Sequence, residues 1–186
     1  VTWRCSVSHW IDPAILALFV PTFFFVSVTP GMCMTLAMTL GMSLGVRRTL
    51  HMMWGALIGV GLVSVLSVVG VAAVMLNYPA LFSAFKYVGG AYLVWLGIQM
   101  WQAKGKMAIP ADLSAGQETR PLGLARQGFV TAIANPKGWA FMVSLLPPFI
   151  NAAKPMAPQI SALVVLILLI EFSCLLLYAS GGRTLR

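Results

Sequence analysis

An all-α, polytopic integral membrane fold is what this sequence predicts, and three observations carry the prediction. The chain is 60% hydrophobic and only 9% charged, with a mean hydropathy of +0.91, whereas a soluble domain carries about 25% charged residues. The apolar residues gather into about five runs long enough to cross a bilayer. Two of those runs contain a proline break in a corresponding place: Val28-Thr29-Pro30-Gly31 in the first and Asn135-Pro136-Lys137-Gly138 in the fourth. Proline removes a helix hydrogen bond and clashes with the preceding turn. The backbone groups it frees at membrane depth must be covered by protein or face a wet cavity. Interrupted helices in corresponding places of two halves point to a transporter's binding site.

The net charge of +8 suggests a nucleic-acid partner, but the basic residues form no single patch. They fall mainly in short loops between alternate apolar runs, where Lys and Arg set membrane orientation. Cys5, Cys33 and Cys174 are far apart and make no C-x-x-C, which argues against a disulfide carrier and a zinc site. No cleavable leader is evident around Arg4, so the first run is expected to remain as a span.

In chain order, residues 1–10 read as an amphipathic lead with Trp3 and Trp10 at an interface. Cys5 and His9 are one helical turn apart, and two ligands do not make a metal site. The first segment, Ile11 to Leu40, would reach about 45 Å as one helix, longer than the ~30 Å hydrocarbon core. A bend or tilt at its break absorbs the excess. Gly41, Gly45, Arg47, Arg48 and His51 read as a short basic loop, with His51 solvated. The second segment, Met53 to Leu76, carries Gly55-x-x-x-Gly59, then Gly61, Ser64 and Ser67, a face suited to helix packing. Asn77-Tyr78-Pro79 reads as a tight turn. In the third segment, Ala80 to Trp101, Lys86 reads as snorkelling to the headgroups.

Residues 102–123 are polar and read as a flexible cytoplasmic linker between a three-helix half (1–101) and a two-helix half (124–186). The fourth segment runs from Leu124 to Ile150 and the fifth from Met156 to Ser180, interrupted by Glu171. Counting Lys and Arg puts the basic loops in the cytoplasm, the N-terminus outside and the C-terminus of the chain inside, with Arg4 mildly opposed.

Aligning the breaks sets Phe25-Val26-Ser27-Val28-Thr29-Pro30 over Thr131-Ala132-Ile133-Ala134-Asn135-Pro136. Each is an apolar run, then a short polar side chain, then proline. Three spans from one break to the start of its counterpart invert the second unit, an inverted-repeat architecture.

Thr29-Pro30-Gly31, the run Gly89-Gly90-Ala91-Tyr92-Leu93-Val94-Trp95-Leu96-Gly97, Asn135-Pro136-Lys137 and Glu171-Phe172-Ser173-Cys174 together resemble the LysE/RhtB family of bacterial amino-acid exporters, especially its leucine and homoserine exporters. The resemblance covers nearly all of the chain from residue 14. It implies a multi-pass protein of the bacterial inner membrane that exports small neutral amino acids or their analogues; the energy is expected from an ion gradient, the proton gradient foremost, or from the substrate's own gradient. Two departures stand out. The family reads Pro-Gly-Pro-Asn at the first break, where Met32 and Cys33 follow Gly31 here. The family also has a sixth apolar segment beyond those in this chain, so a truncated member, or a second copy completing the wall in a homo-oligomer, is expected.

An amino acid is a zwitterion and needs contacts of both signs. Amides after Pro30 and Pro136 stand at half-helix N-termini and, with Gly31 and Lys137, suit the carboxylate. Carbonyls before the breaks, with Thr29 and Asn135, suit the ammonium. Glu171 sits inside its span, at a cost of about 2.5–3.5 kcal/mol if charged and unpaired. It either carries the coupling proton, forms a structural ion pair with Lys137, or is a protonated acid bonded to a neighbouring helix. No Walker-type phosphate loop is present, and no cofactor is expected. A membrane enzyme would need clustered His, Asp, Glu or Cys at depth, and only one Glu and one Lys are found there. The rival to a transporter is a non-transporting membrane subunit or an inactive remnant.

Overall fold

The computed structural model describes residues 13–77, 84, 87–88, 90–91, 94–95, 98, 120–146, 149–151 and 154–184. Six helices are defined among them: α1 (Pro13–Val28), α2 (Met32–Leu44), α3 (Val46–Asn77), α4 (Pro121–Ile133), α5 (Pro136–Leu145) and α6 (Met156–Thr184). The described residues contain no strand. The isolated positions of the third apolar segment are helical. Lys86, the Tyr78-Pro79 turn, the Cys5–His9 pair and residues 102–119 lie outside the described residues.

α3 and α6 are each long and apolar enough to cross a membrane unaided. α1 and α2 make a third such span if taken together, and they are bent by 57° at the Thr29-Pro30-Gly31 break. The first span is therefore kinked sharply rather than tilted whole. α4 and α5 are likewise separated at a proline break, α5 beginning at Pro136. Proline fits there because its missing N–H is one that a first helical turn leaves unpaired anyway.

Two boundaries differ from the sequence reading. The basic stretch after the first span is not a loop. α2 runs on to Leu44 and α3 starts at Val46, so the connection is Gly45 alone, at φ 78° and ψ 161°. That backbone region is open essentially to glycine. Arg47, Arg48 and His51 are exposed on the first turns of α3. At 32 residues, α3 is about 48 Å long, so these turns can stand beyond the hydrocarbon. The polar connection also ends earlier than 123, because α4 begins at Pro121.

The unbroken helices cross over to the opposite broken ones. α3 packs against α4 and α5, α6 packs against α2 and α1, and α3 and α6 meet each other. Small residues permit the close crossings. A Cβ on Gly55 would overlap the Ala125 carbonyl, and one on Gly128 the Met52 carbonyl. On the other side, Gly41 lies on the backbone of Ala179, and Gly182 on that of Met38. Without a hydrophobic force between helices in lipid, close backbone approach is what holds them.

Two apolar clusters result. One gathers Cys33, Leu36, Met52, Ala56, Cys174 and Leu175. The other gathers Phe19, Phe23, Val63, Met142, Phe149 and Ile167. Phe19 stacks on Phe23 at 5.6 Å and meets Phe149 edge-on at 5.0 Å. Large apolar side chains such as Phe25, Ile58, Val69, Leu169 and Leu177 point outward, as lipid-facing residues do. This is a membrane-embedded helical protein.

Candidate functional site

A proline deletes one N–H and breaks the ladder, so each freed carbonyl has to find another donor. At the first break Val26 O would have bonded the amide of residue 30, which is proline. Its donors are instead the Thr29 hydroxyl and the Lys137 ammonium at 3.1 Å. Val28 O would have bonded the amide of Met32, on the far side of the bend. It accepts from the Tyr178 hydroxyl at 2.8 Å. Thr29 O accepts from Lys137 Nζ at 2.8 Å, and the same nitrogen donates to Thr29 Oγ1 at 2.8 Å. Donors for the first break thus come from α5 and α6.

The second break supplies itself. Ala132 O, which would have bonded the missing amide of Pro136, is approached by Asn135 N at 3.4 Å. Asn135 Oδ1 caps α5 by accepting from Lys137 N at 3.1 Å. That takes the amide Ile133 O would have used, and Ile133 O accepts from the Trp139 indole at 2.8 Å.

The two breaks meet. The Lys137 stem runs beside Gly31, where an added Cβ would lie 3.4 Å from its Cδ. The ammonium also faces the Phe141 ring, 5.8 Å from the centroid, a cation–π distance. A cavity of about 50 Å3 opens here, room for a few water molecules at ~10–15 Å3 each. Phe23, Val63, Met142 and other apolar side chains form most of its wall. Its polar lining is Ser27, Asn135, Lys137, Glu171 and the Cys33 thiol. Ser27, buried at the end of α1, lines the cavity together with the Glu171 carboxyl.

Of the residues singled out in sequence, Gly31, Asn135, Lys137 and Glu171 line the cavity. Thr29 joins through Lys137. Pro30 and Pro136 are exposed and act by shaping the backbone. Lys137 gives its three protons to Val26 O, Thr29 O and Thr29 Oγ1, so its ammonium is bound by oxygens of the first break and not by Glu171, the ion pair being one of the alternatives for that carboxyl. At α2, the capping position is Gly31, and no side chain caps its first turn.

Sequence reasoning passed over Ser27, Tyr178 and Trp139. Tyr178 had a legible signal, since Glu171, Cys174 and Tyr178 stand at i, i+3 and i+7 on one face of α6.

The family described as LysE type translocator matches residues 24–186. An "Uncharacterized membrane protein" of Vibrio cholerae is 30% identical over 164 residues, covering 86% of this chain and 78% of the relative. The "Homoserine/homoserine lactone efflux protein" of Salmonella typhimurium is 30% identical over 155 residues, 83% of this chain and 73% of its own length. The "Leucine efflux protein" of Enterobacter sp. is 29% identical over 131 residues, 70% and 61% respectively. No solved structure matches. With the match running through both breaks and the Glu171 helix, the chain belongs to the LysE type translocator family.

Proposed function

We propose that this chain is a secondary exporter of small neutral amino acids or their analogues, of the homoserine or leucine type, across the bacterial inner membrane. The observation that carries the reading is the meeting of the two breaks around one cavity that also holds Glu171. The efflux proteins among its relatives support the direction and the substrate class.

The uncapped first turn of α2 offers amide N–H groups and a partial positive charge to the substrate carboxylate. The carbonyl end of α1 faces the opposite way and suits the ammonium. Phe23, Val63 and Met142 give an apolar wall for the side chain. The cavity widens to admit a substrate as the first broken span shifts against the second.

Crossed packing of α3 on α4–α5 and of α6 on α1–α2 is consistent with an inverted repeat. It supports halves at 1–101 and 124–186 joined by the 102–123 linker, the second half beginning near Pro121. Glu171, beside Ser27 and Lys137 in the cavity lining, is the carrier of the coupling proton. The N-terminus lies outside, and the basic ends of α3 and α4 are cytoplasmic.

Counterflow of labelled amino acids in proteoliposomes tests the reading. Accumulation of homoserine or leucine, abolished by Pro30→Ala, is expected. Absence of flux for every neutral amino acid, with the protein folded and inserted, refutes it.

A further inference from the structure

The oxygens around Lys137 Nζ form a complete set. Val26 O, Thr29 O and Thr29 Oγ1 lie 3.1, 2.8 and 2.8 Å away, and a primary ammonium has three protons to give. Phe141 presents its ring to the same nitrogen. All three oxygens belong to one break, and without the lysine Thr29 O would lose its donor and Val26 O would keep only the Thr29 hydroxyl. The cage is therefore specific in chemistry: it fits an R–NH3+ group, not a planar guanidinium or a quaternary ammonium.

The cage is also placed beside a donor set of opposite polarity. Gly31 and the uncapped first turn of α2 follow Thr29 by two residues. A helix break puts the carbonyl end of one half-helix next to the amide end of the next. An α-amino acid carries its ammonium and carboxylate one carbon apart, and the break presents acceptors and donors in the same adjacency. Yet the acceptor side is already filled, by a residue that itself lines the cavity.

We propose that this cage is the ammonium subsite of the transported substrate, and that Lys137 is its resident occupant, displaced when substrate binds. The inference rests on the transport reading above. Substrate and lysine hold the cage in turn, because three acceptors satisfy one ammonium. Lys137 bonds across 108 to 111 residues of sequence, tying α5 to the end of α1. Its displacement unties the two broken spans when a correct ligand arrives. Substrates must then keep a free primary ammonium, and N-acetylated or trimethylated analogues are excluded.

Lys137→Ala removes three carbons and the ammonium, the size of n-propylammonium. The purified variant in detergent is titrated with n-propylammonium, with 1-propanol and tetramethylammonium as controls, and thermal unfolding is read. The expected result is a saturable upward shift for n-propylammonium alone, with an apparent affinity at least tenfold tighter than for the wild-type protein. Adding Thr29→Val should weaken it. Equal shifts from 1-propanol, or no difference from wild type, overturn the cage. If Lys137→Ala does not fold, Lys137→Met keeps the stem filled and is titrated with methylammonium against methanol, with the same outcomes. Wild-type counterflow is read separately. Flux with a silent cage sinks the ammonium subsite alone, whereas a cage that binds amines in a protein moving no amino acid sinks the transport reading.

Discussion

Tyr178→Phe deletes one hydroxyl and leaves the ring in place. That hydroxyl donates to Val28 O at 2.8 Å across 150 residues of sequence, joining α6 to the broken end of α1. Hydrogen bonds between membrane helices average about 0.6 kcal/mol, with a maximum near 1.7, because the unfolded reference also finds partners. Val28 O belongs at the upper end. Its helical donor would be the Met32 amide, which the 57° bend carries away, so no intrahelical bond replaces the lost one. We expect a loss of about 1–1.7 kcal/mol, a factor of roughly 5–18 in the unfolding constant. Reversible unfolding in mixed detergent and SDS measures it, with Tyr178→Phe compared against wild type. The same substitution should lower counterflow, since the freed carbonyl loosens the break. A change below about 0.3 kcal/mol with flux intact would show that water or lipid headgroups cover Val28 O equally well, and the accounting of break carbonyls would be wrong.

Glu171→Gln should abolish efflux driven by a pH gradient while sparing counterflow, because exchange needs no net proton movement; pH-driven efflux that survives refutes the proton-carrier role. Asn135→Ala removes the side-chain cap on α5 and should cost about 1 kcal/mol, whereas Asn135→Asp keeps an acceptor oxygen and should cost less in the same unfolding assay. Gly128→Ala drives a Cβ onto the Met52 carbonyl and should destabilise by about 1–3 kcal/mol through overpacking. Gly70→Ala, where an added Cβ meets nothing within 4 Å, should be neutral or slightly stabilising, and equal effects at the two sites would refute the close-crossing account.

The positions of the breaks were legible because proline leaves a mark in any apolar run, whatever surrounds it. Both Thr29-Pro30-Gly31 and Asn135-Pro136 separate helices as read. Glycine spacing likewise announced the Gly55–Gly59 packing face. Composition misled at Arg47 and Arg48, where basic residues looked like a loop, because helix length relative to the membrane decides where charge can stand. Which freed carbonyl each distant donor would cover was not legible. Tyr178 and Lys137 reach Val28 and Val26 over more than a hundred residues, and no local pattern encodes which distant donor a broken end will find. Lys137 was expected from its charge to help hold a substrate carboxylate; the three oxygens of the first break that take its protons here lie over a hundred residues away.

The two breaks are alike in sequence logic and unlike in how they are satisfied, and that difference bears on which one moves. The second break closes its own accounts: Asn135 caps α5 and Trp139 covers Ile133 O, both from within the same segment. It can keep its shape whatever the rest of the protein does. The first break is held by donors from α5 and α6, so any motion between the halves changes its covering. A preformed second break is then a rigid mount for Lys137, and the first break is the element that responds. Site residues on a rigid element hold geometry, while an end with borrowed partners changes its hydrogen bonds when those partners move. Substitutions at Asn135 or Trp139 should therefore act mainly on stability. Those at Thr29 or Tyr178 should act on the rate of exchange as well, a split that unfolding and counterflow measured on the same four variants would reveal.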